Sequence, residues 1–337
     1  MKDDARLPGA IDVHAHFLPP GYREACEGGA GVTPDGIPSI PAWSPDGALE
    51  LMDRVGVRVA FLSISSPGVF FGDRAAAGAL ARSVNIAGAE LVWANPSRFG
   101  LLASLPLPDL DASLGELAHA YDELHCDGIV LLTNYGGTYV GDDALEPLLA
   151  ELDDREAVVL LHPSSPACWQ TVSFGRPRPI LEFPLDTTRT VLDLALSGGL
   201  TRHPRIRWII PHAGGALPVL ADRAHLMGAF FCPEGSPVID VIAELGRLYY
   251  DLAGTPLPRA LPALLTLVAP EQLLYGSDFP FTPAFAVEAL AEALATSDVL
   301  SEVAREAMFA HNAARLFPRL QAMGDRATRA RTKGRDG

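Results

Sequence analysis

Two histidines stand two positions apart near the start of the chain, in the run Ile11-Asp12-Val13-His14-Ala15-His16. In a β-strand, residues two apart point to the same face, so an extended conformation places both imidazoles side by side. Two neutral imidazoles on one face supply half of a metal site. Taken alone, the pair is explained equally well as two unrelated histidines at the end of a surface strand.

Three further chemically active side chains follow short apolar runs. They are His162, His212 and Asp278. Any one of them could be structural and bonded to a neighbouring loop. Four of eight predicted strands ending in this way favour a shared site, because the carboxyl ends of parallel barrel strands surround one mouth.

The elements that must position these side chains alternate along the chain. We predict strands over Ala10–His16, Val57–Ser65, Phe99–Leu105, Asp127–Thr133, Ala157–His162, Ile206–Pro211, Arg247–Leu252 and Gln272–Ser277. Segments with helical spacing separate them, and Asp186 is predicted to cap the helix that Gly198-Gly199 ends. Strands alternating with helices indicate a parallel sheet, and eight of them predict an α/β fold, the (β/α)8 TIM barrel.

A single barrel domain is predicted over residues 1–323. Gly28–Pro45 is rich in glycine and proline, which is typical of a long loop and, after a first barrel strand, of an active-site lid. Residues 324–337 have no apolar periodicity and carry five basic residues against two acidic ones, which predicts a disordered basic tail.

Composition limits the classes of partner. The 337 residues are 48% apolar and carry a net charge of −15, which supports a large core and argues against nucleic acid as a partner. Four scattered cysteines without a CxxC motif predict thiols in a reducing compartment. Neither a signal peptide nor a membrane span is predicted, so a cytoplasmic enzyme is expected.

Several motifs together resemble the amidohydrolase superfamily, in its branch of single-metal decarboxylases. That branch includes aminocarboxymuconate-semialdehyde decarboxylase, γ-resorcylate decarboxylase and 6-methylsalicylate decarboxylase. The resemblance runs from about Ile11 to Phe317, and its most specific pieces are His14-Ala15-His16, His162-Pro163, Ile210-Pro211-His212-Ala213-Gly214-Gly215 and Tyr275-Gly276-Ser277-Asp278-Phe279-Pro280. The run Phe183–Arg189 is most similar to the salicylate-type decarboxylases.

The resemblance implies a role for each strand-end residue. His14, His16, His162 and Asp278 would hold the metal, and His212 would stand beside it as an acid/base, with Asp278 as the alternative proton donor. Three imidazoles and one carboxylate suit Zn²⁺, with Mn²⁺ as the alternative. Members with two metals usually bridge them with a lysine after the fourth strand. This chain has Thr133-Asn134 there, so a single metal is expected. The resemblance also implies a homodimer.

Two departures from relatives narrow the substrate. Relatives that act on dicarboxylic substrates carry arginines in the segments that correspond to Ile37–Asp46 and Phe230–Gly235. Neither segment contains an arginine here, so binding of a second substrate carboxylate is not expected. A glutamate replaces the first histidine in γ-resorcylate-type enzymes, which disfavours that subgroup. Aromatic residues near the strand ends predict an apolar slot for an aromatic acid, although about half could simply pack the barrel. We assign substrate contacts to Phe17, Trp169, Arg176 and Phe279, and predict a solvated Arg178.

Three functions compete at this stage. The first is non-oxidative decarboxylation of an aromatic, salicylate-like or enol-type carboxylic acid by protonation of the ring carbon. The second is hydrolysis or hydration of a lactone, amide or conjugated acid by metal-bound water. The third, a barrel that keeps its metal only for stability and serves as a binding subunit, is disfavoured by the intact ligands and His212.

Overall fold

The computed structural model describes residues 7, 9–28, 34–37, 39–232, 234–235 and 237–320. The predicted basic tail, 324–337, lies outside these residues, as does part of the predicted loop Gly28–Pro45. None of the helices in the described part of the chain is long and apolar enough to cross a membrane.

Eight parallel strands form the central sheet of the described chain. They are β1 (Ala10–His16), β2 (Val57–Ser63), β3 (Phe99–Ser104), β4 (Gly128–Leu132), β5 (Val158–His162), β6 (Arg207–Ile210), β7 (Tyr249–Asp251) and β8 (Leu273–Leu274). Each strand pairs with the next one in chain order. The sheet closes where the Val13 amide donates to the Tyr275 carbonyl at 3.0 Å and the His16 amide donates to the Phe279 carbonyl at 2.7 Å. The predicted TIM barrel is confirmed.

The barrel interior is filled by apolar side chains from its strands. Ile11, Val13, Phe61 and Leu102 belong to one buried cluster inside the barrel. Phe317 closes this cluster from the amino-terminal end, with its ring stacked on Phe61 at a centroid distance of 3.8 Å. The packed interior leaves only the carboxyl-terminal mouth for chemistry, as in other barrels of this kind.

The register of β1 against β2 is irregular between Asp12 and Ala15. Such an irregularity changes the phase of the inward-facing side chains. Val13 can therefore join the interior cluster while His14 and His16, further along the same strand, reach the mouth.

Helices surround the sheet. They are α1 (Pro20–Gly28), α2 (Pro45–Val55), α3 (Arg74–Ala94), α4 (Leu110–Asp122), α5 (Glu146–Asp154), α6 (Trp169–Val172), α7 (Glu182–Leu196), α8 (Gly199–Arg202), α9 (Leu217–Phe230), α10 (Val241–Gly246), α11 (Ala260–Leu264), α12 (Ala284–Thr296), α13 (Glu302–Glu306) and α14 (Asn312–Leu316). Side-chain caps open several of them, such as Ser44 at α2 and Asp73 at α3.

The structure corrects three features of the predicted elements. Asp186 does not cap a helix, because α7 begins four residues earlier at Glu182 and contains it. Helices α1, α6, α8, α10, α13 and α14 were not predicted, because each is only 4 to 9 residues long. The last predicted strand is also shorter, since only Leu273–Leu274 pair regularly before the chain turns into the mouth.

Candidate active site

Four side chains from three parts of the chain converge at the barrel mouth. His14 and His16 lie on β1, His162 ends β5, and Asp278 lies four residues beyond β8. One ligand atom from each lies within 4.8 Å of every other, and the three histidines are buried. His16 Nε2 lies 3.1 Å from both His14 Nε2 and Asp278 Oδ1. The predicted ligand set is therefore assembled by the fold.

The outward-facing nitrogen of each imidazole has its own partner. His14 Nδ1 lies 2.9 Å from Asp251 Oδ2, and His162 Nδ1 lies 2.8 Å from the Pro163 carbonyl. His16 Nδ1 lies 3.0 Å from Ser63 Oγ and 3.3 Å from the Ser63 carbonyl. Carbonyl and carboxylate oxygens accept hydrogen bonds, so each Nδ1 carries the proton and each Nε2 offers a lone pair to the common centre.

This arrangement fits a cation. Two Nε2 lone pairs 3.1 Å apart cannot satisfy each other, and a carboxylate oxygen at the same distance adds further negative charge. In the metal-free protein a proton relieves this conflict. Burial opposes that proton, but the Asp251 carboxylate and then Asp278 raise the pKa of His14 to about 9. A divalent ion held by three imidazoles and a carboxylate replaces the proton with ligand bonds.

The remaining titratable groups agree with a ligand role. Burial and the neighbouring imidazoles of His16 and His14 lower the pKa of His162 well below its usual value, which leaves it neutral. Burial opposes the charge on Asp278, but hydrogen bonds to His16 and His212 hold the pKa of Asp278 well below its ordinary range. A neutral imidazole and an ionised carboxylate are the forms that bind metal.

Asp251, at the end of β7, is a functional residue that the sequence prediction missed. Its fully buried carboxylate accepts from His14 Nδ1, from the His212 amide at 3.1 Å and from the Ala253 amide at 3.0 Å. The same carboxylate thus fixes a metal ligand, the loop that carries His212 and a residue of the cavity wall. The sequence did contain a signal for Asp251, namely an aspartate at the end of a predicted strand, which is the same signal that identified Asp278.

His212 stands beside the metal ligands without belonging to the group. Its Nε2 lies 3.5 Å from Asp278 Oδ2, and its ring lies 5.2 Å from the His14 ring. His212 and Asp278 both have a positive φ, 55° and 57°, which costs a non-glycine residue energy and is held by surrounding contacts. Gly215 lies in the turn that follows His212. A side chain does not fit at this position, because a Cβ there would lie 2.5 Å from the Pro184 carbonyl oxygen.

A cavity of about 580 Å³ opens over this group. Ser65, His162, His212 and Asp278 form its polar floor. Its walls are mainly apolar and include Ile37, Pro177, Pro179, Ile180, Phe183, Pro184, Ala253, Pro256, Ala260 and Phe281. Among the described residues that line it there is no lysine or arginine. The cavity therefore suits a flat apolar body with one anionic end directed at the metal group.

The four residues predicted to contact substrate do not line this cavity. Phe17 is only 1% exposed and packs against Trp43 in the core, so the structure corrects its assignment. Phe279 is half-buried and packs against the same core. Trp169 lies in the loop region after β5, and Arg176 is exposed. Phe183 and Phe281 form the aromatic wall instead; Phe183 lies edge-on to His162, with ring centroids 6.5 Å apart.

Arg178 is not solvated as predicted. Its side chain is 13% exposed, lies 3.1 Å from Asp35 Oδ1 and covers the Trp169 ring at 4.1 Å. Asp35 also accepts from the Ser165 amide at 2.8 Å. The ion pair joins the loop after α1 to the loop after β5, and both loops contribute walls to the cavity.

The site can now be compared with known proteins. The chain matches the family model described as Amidohydrolase over residues 11–319. The chain belongs to the amidohydrolase family. This amidohydrolase is 38% identical to a decarboxylase of Aspergillus niger, over 94% of this chain and 89% of the relative. It is also 38% identical to a 6-methylsalicylic acid decarboxylase of Aspergillus aculeatus, over 92% of this chain and 96% of the relative.

A solved structure agrees with the sequence relatives. A crystal structure described as an amidohydrolase II superposes with a TM-score of 0.87 at 38% identity, covering 91% of this chain and 99% of the other. The predicted family and its decarboxylase branch are confirmed. This amidohydrolase is a carboxy-lyase that decarboxylates aromatic acids with a divalent metal, and the His/Asp group is the cluster among the described residues that could hold that ion.

Proposed function

We propose that this amidohydrolase decarboxylates a monocarboxylic, salicylate-type acid, with Zn²⁺ as the resident ion. The observation that carries the proposal is the convergence of three imidazole lone pairs and one carboxylate beneath an apolar cavity that has no cationic lining residue among those described. A relative that acts on 6-methylsalicylic acid supports a substrate with one carboxylate, one hydroxyl and an apolar substituent.

The metal would be held by His14, His16, His162 and Asp278, in the tautomers that their outer partners fix. When bound, the ion supplies a positive charge that binds and orients the carboxylate and neighbouring hydroxyl of the substrate. Zn²⁺ is favoured by three nitrogen ligands and one oxygen ligand, and Mn²⁺ is the alternative.

His212 is the proposed proton donor. The low pKa of Asp278 keeps that carboxylate ionised, so it has no proton to give, and the His212 imidazole 3.5 Å away is the neighbouring group proposed to donate one. His212 delivers a proton to the ring carbon that bears the carboxylate, and a C–H bond forms. The C–C bond to the carboxylate then breaks, its electron pair returns to the ring, and CO₂ leaves. Solvent returns a proton to His212.

The cavity walls account for substrate selection. Phe183 and Phe281 offer aromatic surfaces for the ring, while Ile180 and Pro184 contact its apolar substituents. A second carboxylate would be buried against apolar groups without a cation, which is unfavourable. Substrate contacts by Trp169 and Arg176 stay predictions.

Isotope labelling tests the proposed reaction. The zinc-loaded protein is incubated with 6-methylsalicylate and other hydroxybenzoates in D₂O, and products are analysed by NMR and mass spectrometry. The expected product carries one deuterium at the carbon that lost CO₂. Oxygen incorporation from ¹⁸O-labelled water without CO₂ release would identify a hydrolase and refute the decarboxylase proposal.

Two broader expectations stay proposals. A homodimer is supported by exposed apolar residues at the end of α9, where Leu226, Phe230 and Phe231 are each more than 60% exposed. Light scattering of the purified protein tests it. A cytoplasmic location is supported by Cys26 and Cys126, which are buried as thiols, and cell fractionation tests it.

A further inference from the structure

Ser65 is a buried hydroxyl at the cavity floor that the mechanism above leaves unused. It lies two residues beyond β2, is 2% exposed and lines the cavity. Its backbone is fixed, because its carbonyl accepts from the Gly68 amide at 2.9 Å and from the Tyr22 hydroxyl at 3.3 Å. Within the described chain, the only hydrogen bond of its hydroxyl is to His162 Nε2, at 3.3 Å.

That hydrogen bond competes with metal binding. Because His162 Nδ1 donates to the Pro163 carbonyl, His162 Nε2 carries the lone pair that the Ser65 hydroxyl meets. The same lone pair is the one that His162 would give to the ion. With the ion in place, the buried Ser65 hydroxyl loses its acceptor, which is unfavourable unless another oxygen takes the proton.

We infer that Ser65 binds the substrate, by donating a hydrogen bond to an anionic oxygen that the substrate presents to the metal site. The cavity is the direction left open to the hydroxyl, and it is where the substrate enters. A neutral hydroxyl bonded to a charged oxygen makes a strong, oriented contact. This assignment rests on the proposed function, since it requires a carboxylate or phenolate oxygen next to His162.

Binding measurements test the assignment independently of turnover. The Kd of salicylate is measured by calorimetry for zinc-loaded His212→Asn, in which turnover is suppressed, and for Ser65→Ala/His212→Asn. Loss of a hydrogen bond to a charged oxygen is expected to raise the Kd roughly 10- to 100-fold while zinc content and thermal unfolding stay the same. Ser65→Thr, which keeps the hydroxyl, should restore most of the affinity.

Ser113→Ala is the matched control. Ser113 is another fully buried serine, it lies on α4, and its hydroxyl has no hydrogen-bond partner among the residues that the structure describes. Its removal should leave the Kd unchanged. The inference would be overturned if Ser65→Ala/His212→Asn had the same salicylate Kd as His212→Asn, or if Ser113→Ala raised that Kd equally. It would also be overturned if His212→Asn itself did not bind salicylate. A fall in zinc content would overturn it as well, because it would make Ser65 a ligand.

Failure of the proposed function is a separate result. It would be seen as a wild-type, zinc-loaded protein that releases no CO₂ from any hydroxybenzoate. The salicylate Kd still decides the role of Ser65 in that case, because it reports binding and not turnover.

Discussion

At the scale of single residues, His212 occupies the place from which a proton can reach a bound ring. It faces the cavity, is 22% exposed and stands outside the group of ligand atoms. His212→Asn should therefore keep the metal and reduce kcat by about 100-fold or more, the usual scale for a positioned acid. Steady-state kinetics and elemental analysis measure the two effects.

His225→Asn is the control for this change, because His225 is partly exposed and lies on α9, away from the cavity. It should leave both quantities unchanged. Loss of metal from His212→Asn would show that His212 is a ligand, and a kcat within a few-fold of wild type would make it structural.

Asp251 controls the site without reaching the substrate. Asp251→Asn weakens the acceptor for His14 Nδ1 and removes the negative charge behind that ligand. We expect the zinc Kd to rise roughly 10- to 100-fold, as for other outer partners of metal ligands, with activity largely regained at saturating zinc. Competition with a chromophoric chelator measures the Kd. Asp143→Asn, at an exposed carboxylate outside the ligand group, should not change it. An unaltered Kd in Asp251→Asn would contradict the role.

At the scale of elements, α7 is held to the barrel by one buried carboxylate. Asp186, with 0% exposure, accepts from Asn134 Nδ2 at 2.8 Å, the Tyr139 hydroxyl at 2.7 Å, Thr133 Oγ1 at 2.5 Å and Arg189 Nη1 at 2.5 Å. The helix bears Phe183 and Pro184 in the cavity wall. The contacts therefore tie the end of β4, and the short antiparallel hairpin of Asn134–Tyr135 and Thr138–Tyr139 that follows it, to the substrate wall.

Asp186→Ala leaves several buried donors without an acceptor. We expect a loss of about 3 kcal/mol in the free energy of unfolding and, because the wall shifts, a higher KM for the aromatic acid. Urea denaturation and kinetics measure the two effects. Asp193→Ala, on the same helix but exposed, should cost much less. Equal losses from the two variants would show that the Asp186 contacts contribute little.

At the scale of the whole molecule, the metal joins the two ends of the barrel sheet. His14 and His16 belong to β1 and Asp278 follows β8, where only two residues pair regularly. Bound ion should therefore stabilise the fold, by about 4 kcal/mol at a thousand-fold excess over its Kd. Chelator treatment should lower Tm, and elemental analysis of the loaded protein should give about one ion per chain.

The pH dependence of stability should differ between the metal-free and loaded forms. In the metal-free protein His14 has a pKa of about 9, above its ordinary 6.5, so its contribution is complete below pH 6.5 and is lost as pH rises through 9. Burial raises the pKa of Asp12 from 3.8 to about 7, so the free energy of unfolding also falls as pH rises between these two values. Zinc replaces the His14 proton, so the loaded form should lack the decline above pH 7. Thermal melts at several pH values with and without chelator measure this, and parallel curves would contradict it.

The sequence by itself determined the fold class and indicated which residues could bind a metal. Period-two apolar runs separated by helical ones permit few architectures, and β1 to β5 begin and end within about two residues of their predicted bounds. His14, His16, His162, His212 and Asp278 could be found because each lies near or just beyond the carboxyl end of a strand, and barrel topology brings strand ends together without any knowledge of loop conformation.

Only the tertiary structure decided which loop residues face the substrate. Phe17 follows His16 directly, yet alternation along the chain turns its ring into the core, while Phe183, Phe281 and Ser65 reach the cavity. The partners of Asp251 lie 39 to 237 positions away in sequence and those of Asp186 lie 47 to 53 positions away, apart from short local contacts. Such long-range contacts are set by how loops and helices pack over the barrel, and no local spacing encodes them.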